Sequence, residues 1–221
     1  MQLTKIVDNF DEVNTQPKIN SLYAIIKRGT DIGVASLAII LLSPLLLITA
    51  IILKISSKGP VLFWQKRAGI NGKIINFPKF RSMYIDAEAR KADLLKQNMH
   101  QDSITFKMKD DPRITPIGKI LRKFSIDELP QLLLVIKGDL SLVGPRPATL
   151  DEVDQYSHFE KKRLTVTPGL TCIWQVSGRG DIPFKEQVFM DYKYICERNV
   201  WLDIKLLFLT IPAILFAKGA Y

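Results

Sequence analysis

The chain has 221 residues, of which 47% are hydrophobic and 24% are charged. This balance fits one sizeable folded domain or two small ones and excludes a fully disordered chain. Lys and Arg number 31 against 22 Asp and Glu, and the net charge of +9 indicates anionic partners such as nucleic acid, phosphorylated small molecules or an acidic membrane surface.

Cysteine and histidine are too few to build a cross-linked or zinc-bound fold. Only Cys172 and Cys196 are present, and His100 and His158 stand apart from them in the sequence. The sequence therefore predicts neither a disulfide framework nor a zinc site, and it fits a reducing environment that faces the cytosol.

A polar lead-in, residues 1–26, precedes an uncharged apolar run from Ile32 to Leu53. At 1.5 Å per residue, this run is long enough to cross the roughly 30 Å hydrocarbon layer of a bilayer. It begins too far from the N-terminus, and is too long, to be a cleavable signal peptide. Residues 27–55 are therefore predicted to form a membrane segment.

Two features of this segment favour a hairpin that enters and leaves on the same side. Lys27 and Arg28 precede the apolar run and Lys54 follows it. Because basic residues beside a membrane segment favour the cytoplasmic side, both ends of the segment are predicted on the cytoplasmic face of the membrane. Ser43 and Pro44 favour a bend, because proline removes a backbone hydrogen bond and the serine hydroxyl can bond the freed carbonyl. The residues alone leave two alternatives open, a re-entrant helix-break-helix hairpin and a kinked helix that spans the bilayer.

Three further elements are predicted from composition and spacing. Turn signals flank two β-favouring runs, 61–65 and 73–77, and predict a small hairpin. Residues 82–101 lack Gly and Pro and predict a helix with a solvated polar face. Residues 201–219 have too short an uncharged run to span a bilayer, and they predict either a helix in the membrane interface or a core helix.

The segment 129–136 predicts an amphipathic helix that ends at Gly138. The residues predicted on its buried face are Leu129, Leu132, Leu133 and Ile136.

Two acidic side chains, Asp127 and Glu128, stand side by side just before this helix in SIDELPQ. Ser125 and Glu128 match a capping box, but Pro130 would then delete a helical hydrogen bond. With Asp127 at or beside the cap, Pro130 falls in the first turn, where its missing N–H does no harm. Helix capping and a magnesium site that bridges an acid and a diphosphate both stay open as roles for the pair.

Basic side chains suited to phosphate occur in the neighbouring motifs. Arg122 lies shortly upstream of the acidic pair, and Lys79 and Arg81 lie two apart in FPKFRSM. Arg146 stands between two prolines, which restrict its backbone and suit a side chain held for bidentate phosphate contact. An ordinary arginine in a turn is the alternative for Arg146.

An ordered series of motifs runs along the chain from the Lys27–Arg28 pair and the Ser43–Pro44 pair. The later motifs are QKRAG at 65–69, KFRSM at 79–83, DPRITPIGKILRKFSIDELPQL at 111–132, DLSLVGPRP at 139–147 and PGLTCIWQVSGR at 168–179. Together they resemble the bacterial sugar transferases, and more closely the catalytic domain of the monotopic polyprenyl-phosphate phosphoglycosyl transferases.

The resemblance implies a reaction and a location. Members transfer a sugar 1-phosphate from a UDP-sugar to undecaprenyl phosphate and release UMP, as the first membrane step of exopolysaccharide, capsule or O-antigen synthesis. The implied cofactor is Mg²⁺, and the sugar is a hexose such as galactose or glucose. A mainly α fold with a small β-hairpin is expected at the bacterial inner membrane, with the catalytic domain, residues 56–221, facing the cytoplasm among membrane lipids. The resemblance also favours the re-entrant hairpin, bent at Ser43 and Pro44.

The family's functional residues can be placed on this sequence. Asp127 is expected to be the nucleophile that forms a covalent phosphosugar intermediate and contacts Mg²⁺, and Glu128 is expected to support it. The expected substrate-binding residues are Lys79, Arg81, Arg122, Pro145, Arg146, Pro147 and Arg179.

Two other classes of function compete with this expectation. In a membrane-anchored scaffold the basic surface would hold acidic lipid, and the acidic pair would only cap a helix. A nucleic-acid-binding protein would explain the positive charge, but the basic residues are scattered and form no recognised motif, so no nucleic-acid partner is expected. A homodimer is an open option, because the sequence does not decide the oligomeric state.

Overall fold

The computed structural model describes residues 21–56, 58–94, 104, 108 and 110–216. Over these residues the fold is mainly helical and carries two small sheets, so the expected fold class of a mainly α protein with a β-hairpin is confirmed. Most of the predicted lead-in, residues 1–20, lies outside the described residues. Residues 21–26 belong to the first helix, which therefore begins before the boundary predicted at Lys27.

The secondary structure follows a simple order along the chain. The helices are α1 (Ser21–Ser56), α2 (Ala87–Leu94), α3 (Pro116–Lys123), α4 (Leu132–Lys137), α5 (Leu150–Asp154), α6 (Ile173–Ser177), α7 (Phe184–Glu197) and α8 (Val200–Phe216). The strands are β1 (Leu62–Ala68), β2 (Ile74–Phe80), β3 (Ser141–Val143) and β4 (Gly169–Thr171). Strands β1 and β2 pair antiparallel, and β3 and β4 pair parallel.

The membrane segment is one helix that continues through Pro44. Proline cannot donate to the carbonyl four residues earlier, which belongs to Ile40. The Ser43 hydroxyl donates to that carbonyl at 2.8 Å, as the sequence predicted, and so replaces the lost backbone hydrogen bond. The helical backbone is thereby kept, and the predicted break is not seen at this point.

The N-terminal half of α1 is tied to the rest of the protein by charged side chains. The Arg28 guanidinium donates to the carbonyls of Val135 and Ile136, at 2.6 and 2.7 Å, where a cation stabilises the C-terminal end of α4. The Asp31 carboxylate accepts from the backbone N–H of Leu142 at 2.9 Å. A basic residue that predicts membrane topology thus also holds the fold together.

The C-terminal end of α1 packs against the same body. Leu53 is buried in a cluster with Phe80 and Leu121. The Arg81 guanidinium donates to the Leu53 carbonyl at 3.2 Å, which satisfies one of the unpaired carbonyls at the helix end. Both ends of α1 therefore rest on one folded unit.

The middle of α1 is apolar and uncovered. Ile40 and Leu41 are each 68% exposed and Leu47 is 63% exposed. In the described part of the chain, α1 is the helix that is long and apolar enough to cross a membrane, and only 11% of its most apolar 18-residue window is buried. An exposed apolar surface of this size makes α1 a candidate membrane anchor.

The predicted β-hairpin is confirmed, with strands slightly longer than expected. Arg67 pairs with Ile75 and Phe63 with Lys79 in the register of β1 and β2. Because alternate side chains of a strand point to the same face, Gln65, Arg67 and Lys79 share one face of the hairpin. This face lies towards the cavity described below.

The helix predicted over residues 82–101 is wrong at its start. Within the described residues it spans only Ala87–Leu94, and residues 95–101 lie outside them. The Tyr84 N–H donates to the Arg113 carbonyl at 2.9 Å, and the Thr115 N–H donates to the Ser82 carbonyl at 3.0 Å. These long-range bonds hold residues 82–84 extended, and local sequence does not reveal them.

The helix predicted at 129–136 begins later. Of the four residues predicted on its buried face, Leu132 is buried and Leu129 and Ile136 pack against the core, but Leu133 faces outwards. Residues Ile126–Gln131 form a 3₁₀ helix and only Leu132–Lys137 is α-helical. A 3₁₀ helix has three residues per turn instead of 3.6, so the spacing that predicted the buried face does not apply across the junction. Leu133 is 60% exposed, whereas Leu134 and Val135 are buried. Gly138 ends the helix in the left-handed region, with φ of 96°, as predicted.

Close backbone contact at Gly118 gives a test of this packing. A Cβ atom at Gly118 would lie 1.9 Å from the Ser82 carbonyl oxygen. We expect Gly118→Ala to lower the free energy of unfolding by about 1–3 kcal/mol, because the extended segment must shift. Thermal unfolding in detergent measures this. Gly33→Ala is the control, since nothing lies within 4 Å of a Cβ there, and an equal loss in both variants would contradict the packing.

Candidate active site

The two acidic side chains follow a sharp turn at the end of α3. Ser125 adopts the left-handed region, with φ of 54° and ψ of 23°, and its side chain makes no capping bond. The capping-box alternative and the placement of Asp127 at the cap are therefore both wrong. Asp127 and Glu128 lie in the first turn of the 3₁₀ helix, and Pro130 lies inside that helix. Helix capping does not explain why the acids are there.

Glu128 is held on both sides by cations. Lys79 Nζ lies 2.8 Å from Glu128 Oε1, Arg146 Nη1 lies 3.2 Å from Oε2, and Arg146 Nη2 also donates to Oε1. Burial alone would raise the pKa of Glu128, but the charges of Arg146 and Lys79 outweigh burial and hold the pKa well below its usual range. Glu128 is thus a fixed anion whose oxygens are already in use.

Asp127 has a different environment although it is the next residue. It is 5% exposed, and no donor among the described residues bonds its carboxylate. Burial raises its pKa to about 6, the charge of Lys79 partly opposes this rise, and the negative charge of Glu128 adds to it. The two adjacent carboxylates therefore differ, because one is locked in ion pairs and the other is left available for chemistry.

Both acids line a cavity of about 460 Å³. The basic side chains that line it among the described residues are Arg67, Lys79, Arg122, Arg146, Arg163 and Arg179. This excess of positive charge suits a diphosphate, and the volume suits a small-molecule ligand.

Most of the predicted substrate-binding residues meet in this cavity, but two do not line it. Arg81 instead donates to the carbonyls of Leu53 and Pro60, which ties α1 to the end of β2. Pro145 is fully buried, and its carbonyl accepts from the Gly169 N–H at 2.9 Å. Pro145 thus fixes the loop that carries Arg146, which is a supporting position and not a lining one.

Arg67 is a cavity residue that the sequence interpretation did not single out. Its Nη1 donates to the Pro147 carbonyl at 2.6 Å, and its other nitrogens donate to Gln65. Burial, followed by the charge of Arg146, lowers the pKa of Arg67 to about 10. The motif QKRAG contains the pattern that could have indicated this position, because Gln65 and Arg67 are two residues apart and lie on the same face of β1. Nothing in the local sequence shows that this face meets Arg146.

Arg163 is the second missed residue and lies on the 3₁₀ helix Glu160–Thr165. It forms a buried ion pair with Asp191 of α7, with Nη2 at 2.7 Å from Oδ2, and it donates to the Tyr156 hydroxyl at 2.9 Å. These partners are 28 and 7 residues away, so no sequence pattern joins them.

The number of carboxylates that converge in the cavity limits which metal ion it could bind. Within the described residues no group of three or more His, Cys, Asp or Glu side chains converges. A metal ion that needs a full set of protein ligands does not fit. Mg²⁺ commonly takes one or two carboxylates and completes its shell with phosphate oxygens and water, and the open carboxylate of Asp127 fits that requirement.

Comparison with known proteins places the chain in a family. The family model for bacterial sugar transferases matches residues 22–217. The chain is 52% identical over 163 residues to the galactosyl transferase CpsE of Streptococcus agalactiae, a match that covers 73% of this chain and 36% of that protein. It is 38% identical over 206 residues to the exopolysaccharide production protein ExoY of Sinorhizobium fredii, covering 92% and 91% of the two chains.

A third relative is the undecaprenyl-phosphate galactose phosphotransferase of Salmonella typhimurium. It is 39% identical over 204 residues, which cover 89% of this chain and 42% of that protein. The chain thus spans less than half of CpsE and of the Salmonella protein, and nearly all of ExoY. With most of the sequence matched by the family model, and with ExoY aligned over nearly its whole length, the chain belongs to the bacterial sugar transferase family.

Proposed function

We propose that the chain transfers a hexose 1-phosphate, with galactose or glucose as the sugar, from a UDP-sugar to undecaprenyl phosphate and releases UMP. The observation that carries this proposal is the buried Asp127 carboxylate, which accepts no hydrogen bond from the described residues and opens into a cavity rich in basic side chains. The names of relatives that act on undecaprenyl phosphate and galactose support the choice of substrates.

Asp127 is assigned as the nucleophile because its neighbour cannot take that role. Glu128 is bound by Lys79 and Arg146, so an attack by its oxygens would break two ion pairs. Among the described residues Asp127 has no such partner, and above its pKa it carries the negative charge that attack requires. The role of Glu128 is to hold Lys79 and Arg146 in place for the phosphates.

The proposed reaction has two balanced steps. In the first, an Asp127 oxygen attacks the sugar-bearing phosphorus, the diphosphate P–O bond breaks, and UMP leaves with the bonding electron pair. In the second, a phosphate oxygen of undecaprenyl phosphate attacks the same phosphorus, and the bond to Asp127 breaks. The carboxylate is regenerated and the lipid carries a diphosphate-linked sugar.

The cations around the cavity explain how an anion could attack a diphosphate. Arg122, Arg146 and Arg179 line the cavity around Asp127 and would neutralise charge on the phosphate oxygens as the transferring group passes. Mg²⁺ held by Asp127 would supply further positive charge at the same phosphates. Phosphoryl transfer is accelerated mainly by positioning the reacting groups and by neutralising the charge on the phosphate oxygens.

A re-entrant membrane helix is part of the proposal. Both ends of α1 pack on the same folded unit, while its apolar middle is exposed. A return to the same face requires α1 to bend within the helix, and we propose that it bends at Pro44, where one backbone hydrogen bond is missing, so that both of these contacts are kept. We place the catalytic unit at the cytoplasmic face of the bacterial inner membrane, where UDP-sugars are made.

Replacing the nucleophile tests the chemistry. We expect Asp127→Asn to lower UMP release from a UDP-sugar by at least about a thousandfold, since an amide cannot form the intermediate. The assay uses protein in nanodiscs with undecaprenyl phosphate, Mg²⁺ and a panel of UDP-sugars. Asp154→Asn is the matched control, because Asp154 is exposed and lies outside the cavity lining. Undiminished UMP release in Asp127→Asn would overturn Asp127 as the nucleophile, and absence of UMP release from the folded wild-type protein with every sugar would favour the scaffold alternative.

The raised pKa of Asp127 predicts a pH dependence of the first step. The carboxylate is charged above its pKa and protonated below it, so single-turnover UMP release without lipid acceptor should fall on acidification. The midpoint should lie at about pH 6 or below, because Mg²⁺ held by Asp127 would lower the pKa from that value. The charge of Lys79 lowers this pKa, so Lys79→Met should move the midpoint to higher pH. A rate that is constant across this range would rule out Asp127 as the titrating nucleophile.

The re-entrant form of α1 predicts which side of the membrane its ends face. We expect single cysteines at Ser21 and Lys58, in a Cys196→Ser background, to react with an impermeant maleimide in inside-out vesicles and to be protected in spheroplasts. Cys196 is exposed and would otherwise react, whereas Cys172 is buried. Reaction of the Lys58 position in spheroplasts would show that α1 spans the membrane.

A further inference from the structure

One wall of the cavity carries no charge and has no part in the chemistry at Asp127. This wall belongs to α8, which contributes Leu207, Thr210, Ala213 and Ile214. Residues three, four and seven apart lie on the same side of a helix, so these four form one continuous strip, the inner face of α8. All four are uncharged, and three of them are fully apolar.

The elements that contact α8 extend this apolar wall. β3, β4 and α6 all pack against α8. They line the cavity with the apolar Leu142, Leu170 and Val176, and also with Thr171, Trp174 and Gln175. The hydroxyls of Thr171 and Thr210 lie 2.7 Å apart and bond each other, so these two polar groups are already satisfied. Ribose, uracil and hexose all need hydrogen-bond partners when they leave water, and this wall offers them few.

A second side of α8 is also apolar and faces outwards. Phe208 is 69% exposed, Ile211 is 57% exposed and Leu215 is 66% exposed, and these residues again share one helical face. α8 also packs against α1, whose exposed middle is the lipid-contacting part of the chain. α8 therefore separates the reaction cavity from an apolar surface that suits the membrane interface.

We propose that the inner face of α8 binds the first isoprene units of the polyprenyl phosphate acceptor. This inference rests on the proposed function and adds the place where the lipid chain lies. From Leu207 to Ile214 the helix rises about 10 Å, enough for the start of the lipid chain, while the remainder stays in the bilayer. The lipid phosphate then reaches the charged side of the cavity, where Asp127 and the basic side chains lie.

Enlarging a side chain on this face tests the proposal, because the two steps of the reaction can be measured separately. In Ala213→Phe, we expect the UMP burst from UDP-sugar without lipid to keep its wild-type rate and amplitude. With undecaprenyl phosphate added, the KM for the lipid should rise at least about tenfold, or transfer to it should stop. Ala213→Val should give a smaller effect in the same direction.

Leu209→Phe is the matched control, since Leu209 lies on the same helix, is 40% exposed and does not line the cavity. It should keep wild-type kinetics in both steps. An unchanged KM for the lipid in Ala213→Phe would overturn the proposal. Loss of the UMP burst in folded Ala213→Phe would also overturn it, since the wall would then serve the nucleotide sugar. Absence of a burst in the wild-type protein would instead contradict the proposed function itself.

Discussion

The ion-paired Glu128 carboxylate is the constraint on which the site depends. It joins Lys79 from β2 and Arg146 from the loop after β3 to the 3₁₀ helix that follows α3. Removing charges from water is costly, so a partly buried carboxylate between two cations persists only when the geometry compensates each of them. The register of the hairpin and the tight loop around Pro145 provide that geometry. Adjacent acids would otherwise repel each other, and here one is neutralised by partners while the other is not.

A second ion-paired carboxylate, Asp203, joins several elements at the start of α1. Lys27 lies 2.9 Å from Asp203 of α8 and also donates to the Val143 carbonyl at 3.0 Å. Tyr194 donates to Asp203 Oδ1 at 2.7 Å, so α1, α7 and α8 meet at one carboxylate. Basic residues at the start of a membrane segment are usually explained by topology alone. Here Lys27 also fixes α1 to the folded unit that holds the candidate active site, so the candidate membrane anchor and that site belong to one structure.

The sequence was sufficient for features that depend on local chemistry. The hairpin followed from alternation and turn residues, the stop at Gly138 followed from glycine's tolerance of positive φ, and the Ser43 hydroxyl bond followed from the carbonyl that Pro44 frees. Ordered motifs also pointed to Asp127 and Arg146, which the fold brings to one cavity. The places where prediction failed have a different cause. The extended backbone at 82–84 and the exposed Leu133 depend on distant contacts and on a 3₁₀ turn, and Arg67 and Arg163 enter the cavity only through tertiary packing.

Arg81 shows that the C-terminal end of α1 lies close in sequence and in contacts to the candidate active site. It holds the last turn of α1 through the Leu53 carbonyl, and two residues earlier on the same chain Lys79 holds Glu128. Residues 79–81 therefore connect the C-terminal end of α1 to the ion-paired acid of the site. A displacement of the C-terminal end of α1 would therefore be passed to that acid through residues 79–81.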